Sequence, residues 1–221
     1  MLRRCLQNCH MAPPTQQLSK ADPVLGALIA RVGPLKPRLP EHSELYPALL
    51  SAIAHQQLHA NAALAILGRL KAACGGILPD PAALLALPDE RLRGCGFSAT
   101  KMAAIRDTAA KAIDGTIPSR VRARRLSDDA LIERLTTIRG VGRWTVEMLL
   151  IFTLRRPDVF PVDDFGVREG YRLLHMLDMQ PKPKALAEIG KAYAPHRTLA
   201  ALYLWRAADE MKKPSTTLSK A

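Results

Sequence analysis

From end to end this chain is divided into short helix-forming segments by matched start and stop signals, a pattern that favours packed helices over sheet. Asp22-Pro23, Asp80-Pro81, Asp89, Ser98 and Ser127 stand where a side-chain oxygen can accept the first free amides of a helix, with proline tolerated at the first helical position. Gly33-Pro34, Gly75-Gly76, Gly94-Cys95-Gly96 and Asp114-Gly115 stand where helices end. The segments between are rich in Ala, Leu and Ile, and aromatics make up only 5% of the chain, so helix formers dominate. This predicts helices over 23–30, two between 43 and 74 that meet at the polar cluster 55–61, short ones from Pro81 and Asp89, and a long one from Ser98 to about Asp114. Ser127 opens 128–135, Gly140-Val141-Gly142 separates it from a helix through Leu154, and further helices cover 165–177 and both sides of Pro195. A short apolar piece after Arg155-Arg156-Pro157 reads as strand-like. The expected fold is all-α.

The 221 residues fit one domain or two small, closely packed ones, and 48% apolar content supplies a core. No stretch approaches the roughly 18 uncharged apolar residues of a membrane span. Thirty-two Lys and Arg against twenty Asp and Glu leave a net charge of +12, which suits a polyanionic partner but also a merely soluble basic protein. Cys5, Cys9, Cys74 and Cys95 form no pair with zinc-site spacing and are expected as thiols. Residues 1–20 carry Arg3, Arg4 and Lys20 and no acid, and read as a disordered basic arm, a transit-like segment, or a stretch ahead of a true start at Met11. The arginines at 120, 122, 124 and 125 either contact phosphates or form a solvated loop.

The segment Leu135-Thr136-Thr137-Ile138-Arg139-Gly140-Val141-Gly142-Arg143-Trp144-Thr145 carries the most chemical information. Two glycines around a small apolar residue allow a turn with no side chain over it, so amides at the start of the second helix can approach an oxyanion. A DNA phosphate fits such a site and sets register without reading sequence. A Gly-x-Gly between helices is also an ordinary tight turn. Val159-Phe160-Pro161-Val162-Asp163-Asp164-Phe165-Gly166-Val167-Arg168 places two carboxylates at a helix start, Asp164 standing 22 positions after Gly142, where simple N-capping is the plain alternative to catalysis.

Together these segments resemble the helix-hairpin-helix DNA glycosylase superfamily, whose members place an essential Asp about this far beyond the hairpin. The likeness extends to the pair Gln56-Gln57, to Gly96-Phe97-Ser98-Ala99-Thr100-Lys101, and to Ala194-Pro195-His196-Arg197-Thr198 with Tyr203-Leu204-Trp205-Arg206. Spanning about residues 22–210, it is closest in kind to the 3-methyladenine DNA glycosylase II family. The register of Val167 selects Asp164 over Asp163, leaving Asp163 or the backbone to serve the helix while Asp164 faces the pocket. The resemblance implies two helical subdomains with a DNA-binding cleft between them. Residues 43–154 form the central one, ending in the hairpin, and residues 21–42 with 155–213 form the one that carries the catalytic Asp; 214–221 is a disordered tail.

The resemblance further implies hydrolysis of the bond between deoxyribose and an alkylated purine, with Asp164 stabilising the oxocarbenium-like transition state and orienting water. Strand-cleaving relatives carry a Lys where this chain has Trp144, so water alone is the expected nucleophile, and Trp144 with Phe165 is assigned to the base pocket. Gln57 is the implied plug for the space left by an extruded base, and His59, where many relatives have Ser, is assigned to the minor groove. Phosphate contacts fall to Gly140, Val141, Gly142, Arg143 and Thr145, with Lys101 and Arg197 either touching DNA or stabilising helices. The family's hairpin commonly holds a sodium or potassium ion on main-chain carbonyls, here Thr136, Ile138 and Val141. No cofactor is required for the chemistry, no iron-sulfur cluster is expected, and the chain is too short for the β-domain of larger alkylation glycosylases. The expected partner is double-stranded DNA containing alkylated bases, the expected state a monomer away from membranes, and the expected place the cytoplasm, at the nucleoid if bacterial, with an organelle or nucleus as the other options. The rivals are a non-catalytic duplex-binding protein and a glycosylase for oxidised or mismatched bases.

Overall fold

The computed structural model describes residues 12–36 and 42–212. Among them there are thirteen α-helices and no strand. The chain divides into two compact units, one drawing its described residues from Met1–Lys36 and Pro157–Ala221, the other from Pro37–Arg156.

The first unit contains α1 (Pro14–Ala21), α2 (Pro23–Val32), α11 (Phe165–Leu174), α12 (Pro183–Gly190) and α13 (Arg197–Lys212). Leu18, Leu25, Leu28, Phe160, Val167, Leu186, Tyr203 and Leu204 are the larger side chains of its core. Asp22 does two tasks there. Its Oδ1 accepts the amides of Val24 and Leu25, both at 3.0 Å, and caps α2. Its Oδ2 accepts the hydroxyl of Tyr193 at 2.6 Å, and with burial this pushes the Tyr193 phenol well above its ordinary pKa. Close crossing of α11 and α13 depends on Gly170, where a Cβ would lie 1.9 Å from the Leu204 carbonyl oxygen.

Helix α1 corrects the expectation of a disordered arm, in so far as residues 14–20 are concerned; residues 1–11 and 213–221, on which the rest of the arm and the tail were expected, lie outside the described residues. Pro14 occupies the first turn, where proline costs no hydrogen bond, and Leu18 is buried at 1% exposure. The strand-like piece after Pro157 is irregular backbone instead. Its polar groups are met by a helix start: Val159 N–H donates to Thr198 Oγ1 at 3.0 Å, and Thr198 N–H donates to the Pro157 carbonyl at 3.1 Å. Helix α11 stops three residues before the expected end, because Met176 is left-handed (φ 52°) and Leu177 N–H turns back to the Arg172 carbonyl.

The second unit contains α3 (Leu45–His55), α4 (Ala60–Ala73), α5 (Pro81–Ala86), α6 (Asp89–Gly94), α7 (Ala99–Ile113), α8 (Arg120–Ala123), α9 (Asp128–Leu135) and α10 (Arg143–Met148), which continues into a wider π-turn, Leu149–Thr153. Asp80, Ser98, Ser119 and Ser127 cap their helices with side-chain oxygens. Leu49, Leu50, Ile53, Leu67, Leu70, Leu92, Ile105 and Leu131 are buried among these helices, with α7 packed on both α3 and α5. Arg156 belongs to this unit because its guanidinium donates to the carbonyls of Ala123 and Leu126 and pairs with Asp128 at 3.3 Å. The unit therefore runs past the expected boundary at 154. No helix of the described residues is long and apolar enough to cross a membrane.

Candidate functional site

In the second unit, α9, the turn 136–142 and α10 form a helix-hairpin-helix. Two buried side chains, Ile138 and Val141, anchor the turn, and Val141 N–H closes it on the Ile138 carbonyl at 3.0 Å. Arg139 N–H donates to Asp107 Oδ2 of α7 at 2.7 Å, a tether that the sequence reading did not single out. The two glycines serve different ends. Gly140 is left-handed (φ 75°) and its missing Cβ would sit 3.3 Å from Ala104 of α7. Gly142 is extended, caps α10, and has nothing within 4 Å of where a Cβ would stand, so the backbone at the start of α10 can be approached closely there.

The side chains assigned to phosphate divide as well. Arg143 is 55% exposed and donates from Nε to Glu147 Oε1 at 2.9 Å, a buried carboxylate one turn on. Thr145 is buried at 5% exposure, so a contact of this residue with an anion falls to its main chain rather than its side chain. Lys101 donates its ammonium to the Ala54 carbonyl at 2.7 Å, near the C-terminus of α3, and desolvation there holds its pKa below the ordinary lysine value. Arg197 lies in the first unit and grips Asp158 through two bonds of 2.8 Å, which stabilises the charged form of Asp158 and lowers its pKa. The arginines at 122, 124 and 125 are exposed on and after α8.

A groove of about 630 Å³ runs beside the hairpin, lined by Ser51, His55, Gln56, Gln57, Gly140, Gly142, Trp144 and Met148 among others. Gln57, Leu58 and His59 are exposed in the link between α3 and α4, and Gln57 is one of the few non-glycine residues with a left-handed backbone (φ 57°). Gln56 points elsewhere: its Nε2 donates to the Gly140 carbonyl at 2.9 Å. Trp144, at 47% exposure, stands in the first turn of α10 with its ring on the groove.

In the first unit Asp164 begins α11 and is 9% exposed. Its Oδ1 accepts the Val167 amide at 2.8 Å, so Asp164 itself caps the helix, and the expected division of labour with Asp163 is corrected. The same oxygen accepts Trp205 Nε1 of α13 at 2.7 Å. Gly166 makes room for that indole, since a Cβ there would lie 2.7 Å from Trp205 Cδ1. Two directional donors hold the carboxylate in one orientation at low exposure, where an anion stabilises a developing cation more than it does in water. Phe165 follows it, 61% exposed. Sequence reasoning missed Trp205 as a partner, although the segment containing it was among the matching ones.

Two helices joined by a glycine hairpin, with a nearly buried carboxylate opening a later helix, define a helix-hairpin-helix protein. The chain belongs to the HhH-GPD superfamily of base excision DNA repair proteins, whose family profile matches residues 50–196. It is 46% identical over 191 residues to DNA-3-methyladenine glycosylase 1 of Schizosaccharomyces pombe, covering 86% of this chain and 84% of that protein. The structure of the 3-methyladenine DNA glycosylase from that yeast in complex with abasic DNA superimposes with a TM-score of 0.79, covering 87% of this chain and 95% of the other. A DNA-3-methyladenine glycosidase from Bacillus halodurans superimposes with a TM-score of 0.82 at 35% identity, covering 90% and 91% of the two chains.

The contrast between the two hairpin glycines yields a test. Gly142→Ala adds a methyl group at the N-cap of α10 without a clash, so thermal stability is expected to fall by no more than about 1 kcal/mol. Affinity for duplex DNA, read by fluorescence anisotropy, is expected to fall severalfold; unchanged affinity would remove the hairpin from the phosphate contacts.

Proposed function

We infer that the chain is a DNA-3-methyladenine glycosylase of base excision repair, which hydrolyses the N-glycosidic bond of alkylated purines in duplex DNA. The observation that carries this reading is the Asp164 carboxylate, nearly buried and held by Val167 N–H and Trp205 Nε1. Departure of the base builds positive charge at C1′, and Asp164 stabilises that charge and orients the attacking water. A methylated purine is already cationic and leaves without a strong general acid. Trp144, exposed in the second unit, is assigned to attract such a base by cation-π stacking, and Phe165, exposed in the first, carries the same assignment by itself.

Gln57 supplies the plug that fills the stack after extrusion, with His59 on the minor groove, and unstacking of a few kcal/mol is partly offset by that wedge. The amides from Gly140 to Thr145 and the Arg143 side chain hold a phosphate of the strand. The carbonyls of Thr136, Ile138 and Val141 are neutral hard donors suited to sodium or potassium, and Ile138 keeps a second lone pair beside its bond from Val141. A cation held by these carbonyls would supply positive charge to the hairpin. The protein acts on DNA as a monomer, in the cytoplasm.

Mass spectrometry of bases released from methylated duplex DNA tests the activity: free methylpurine is expected from the parent protein. DNA binding without release would favour the non-catalytic rival, and release from oxidised or mismatched duplexes in preference to methylated ones would favour the other. Because Trp144 stands where strand-cleaving relatives have Lys, borohydride is expected to trap no covalent adduct and the strand is expected to stay intact until treated with alkali. A trapped adduct would refute the monofunctional assignment.

A further inference from the structure

We propose that Gln56 is a positioning residue that joins the plug loop to the hairpin, so that insertion of Gln57 and grip of the phosphate take place as one event. The proposal rests on the assignment of Gln57 as plug given above. A left-handed backbone at a non-glycine residue persists where the surroundings hold it, and Gln57 has such a conformation at an exposed loop tip. Two side chains brace that tip from either side. Gln56 Nε2 donates to the Gly140 carbonyl at 2.9 Å, across 84 residues of chain. Lys101 Nζ donates to the Ala54 carbonyl at 2.7 Å, just before the loop. The same helix, α7, holds the hairpin through Asp107 and Arg139 N–H.

These bonds close a circuit: plug loop to hairpin through Gln56, hairpin to α7 through Asp107, and α7 back to the base of the plug loop through Lys101. A carbonyl in the hairpin that accepts Gln56 stands next to the amides assigned to phosphate, so any shift of the hairpin on binding is passed to residue 57 through one bond. The pair Gln56-Gln57 is thereby divided in function. One amide reads the protein's own turn, and the other is presented outward.

The test compares Gln56→Ala, Gln57→Ala and the double variant in single-turnover excision of a methylated purine, on a fully paired duplex and on one whose target base lies in a bulge and needs no plug. On the paired duplex Gln56→Ala is expected to slow excision about two- to tenfold, the worth of one hydrogen bond. The double variant is expected to match Gln57→Ala alone, since Gln56 acts through Gln57. On the bulged duplex the loss caused by Gln56→Ala is expected to disappear. Multiplicative losses in the double variant, equal loss on both duplexes, or full activity of Gln56→Ala would overturn the proposal while leaving the plug intact. A Gln57→Ala variant with parental activity on the paired duplex would instead remove the plug, and the proposal with it.

Discussion

Asp164→Asn is expected to slow single-turnover release of methylpurine by about a hundred- to a thousandfold, the scale seen when a charge-stabilising group is removed from a preorganised site. The substitution isolates charge from structure. The bonds from Val167 N–H and from Trp205 Nε1 both fall on Oδ1 of Asp164, and the amide oxygen of Asn accepts both. Asn is also as good an N-cap as Asp, so α11 keeps its start. The melting temperature and the affinity for duplex DNA are therefore expected to change little, and the loss is expected in the rate at saturating enzyme. An Asn variant that releases base at the parental rate would refute the electrostatic role of this carboxylate.

Gly170→Ala is expected to be the most destabilising small change in the first unit. Its Cβ would fall 1.9 Å from the Leu204 carbonyl oxygen and 2.6 Å from the carbonyl carbon, and neither is the end of a side chain that could rotate away. Helices α11 and α13 must separate, and overpacking against backbone of this kind is expected to cost about 3 kcal/mol, the upper end of the usual range. For a chain of this length that corresponds to a melting temperature lower by roughly 6–12 °C in differential scanning calorimetry. Leu204 neighbours Trp205, and Gly170 lies on the helix that Asp164 opens. The same separation is therefore expected to weaken the bond between Trp205 and Asp164 and to lower excision at temperatures where the variant remains folded. Parental stability in Gly170→Ala would show that the crossing has more slack than the contact distances allow.

Much of the fold could be read along the chain because helix caps act over three or four residues. Asp22, Asp80, Ser98 and Ser127 accept the amides that their positions imply. The errors arose where the deciding partner was distant. Residues 14–20 looked like an arm because charge and the proline pair were weighed, and the burial of Leu18 in a core drawn from the other end of the chain was invisible. The piece after Pro157 looked like a strand because it is apolar, yet its amides are met by Thr198, thirty-nine residues on from Val159. For Lys101 the sequence leaves DNA contact and helix support both open, and the bond of its ammonium to the carbonyl of Ala54 is formed across 47 residues.

The carboxylate at 164 shows the same boundary at a single residue. That a carboxylate at 164 opens a helix, and that a glycine turn joins two helices before it, follows from neighbours close along the chain. Which carboxylate oxygen is committed, and to what, depends on Trp205 across 41 residues, on the space left by Gly166, and on a helix crossing permitted by Gly170. Gln56 meets the Gly140 carbonyl across 84 residues in the same way. The amino-acid order alone determined where helices begin and end and which residue types stand at those ends, because those are short-range hydrogen-bond demands of the backbone. Only tertiary structure decided which side chains brace the acid and the loop, because such bonds form where packed helices bring their surfaces within about 3 Å, and packing is a property of the whole core.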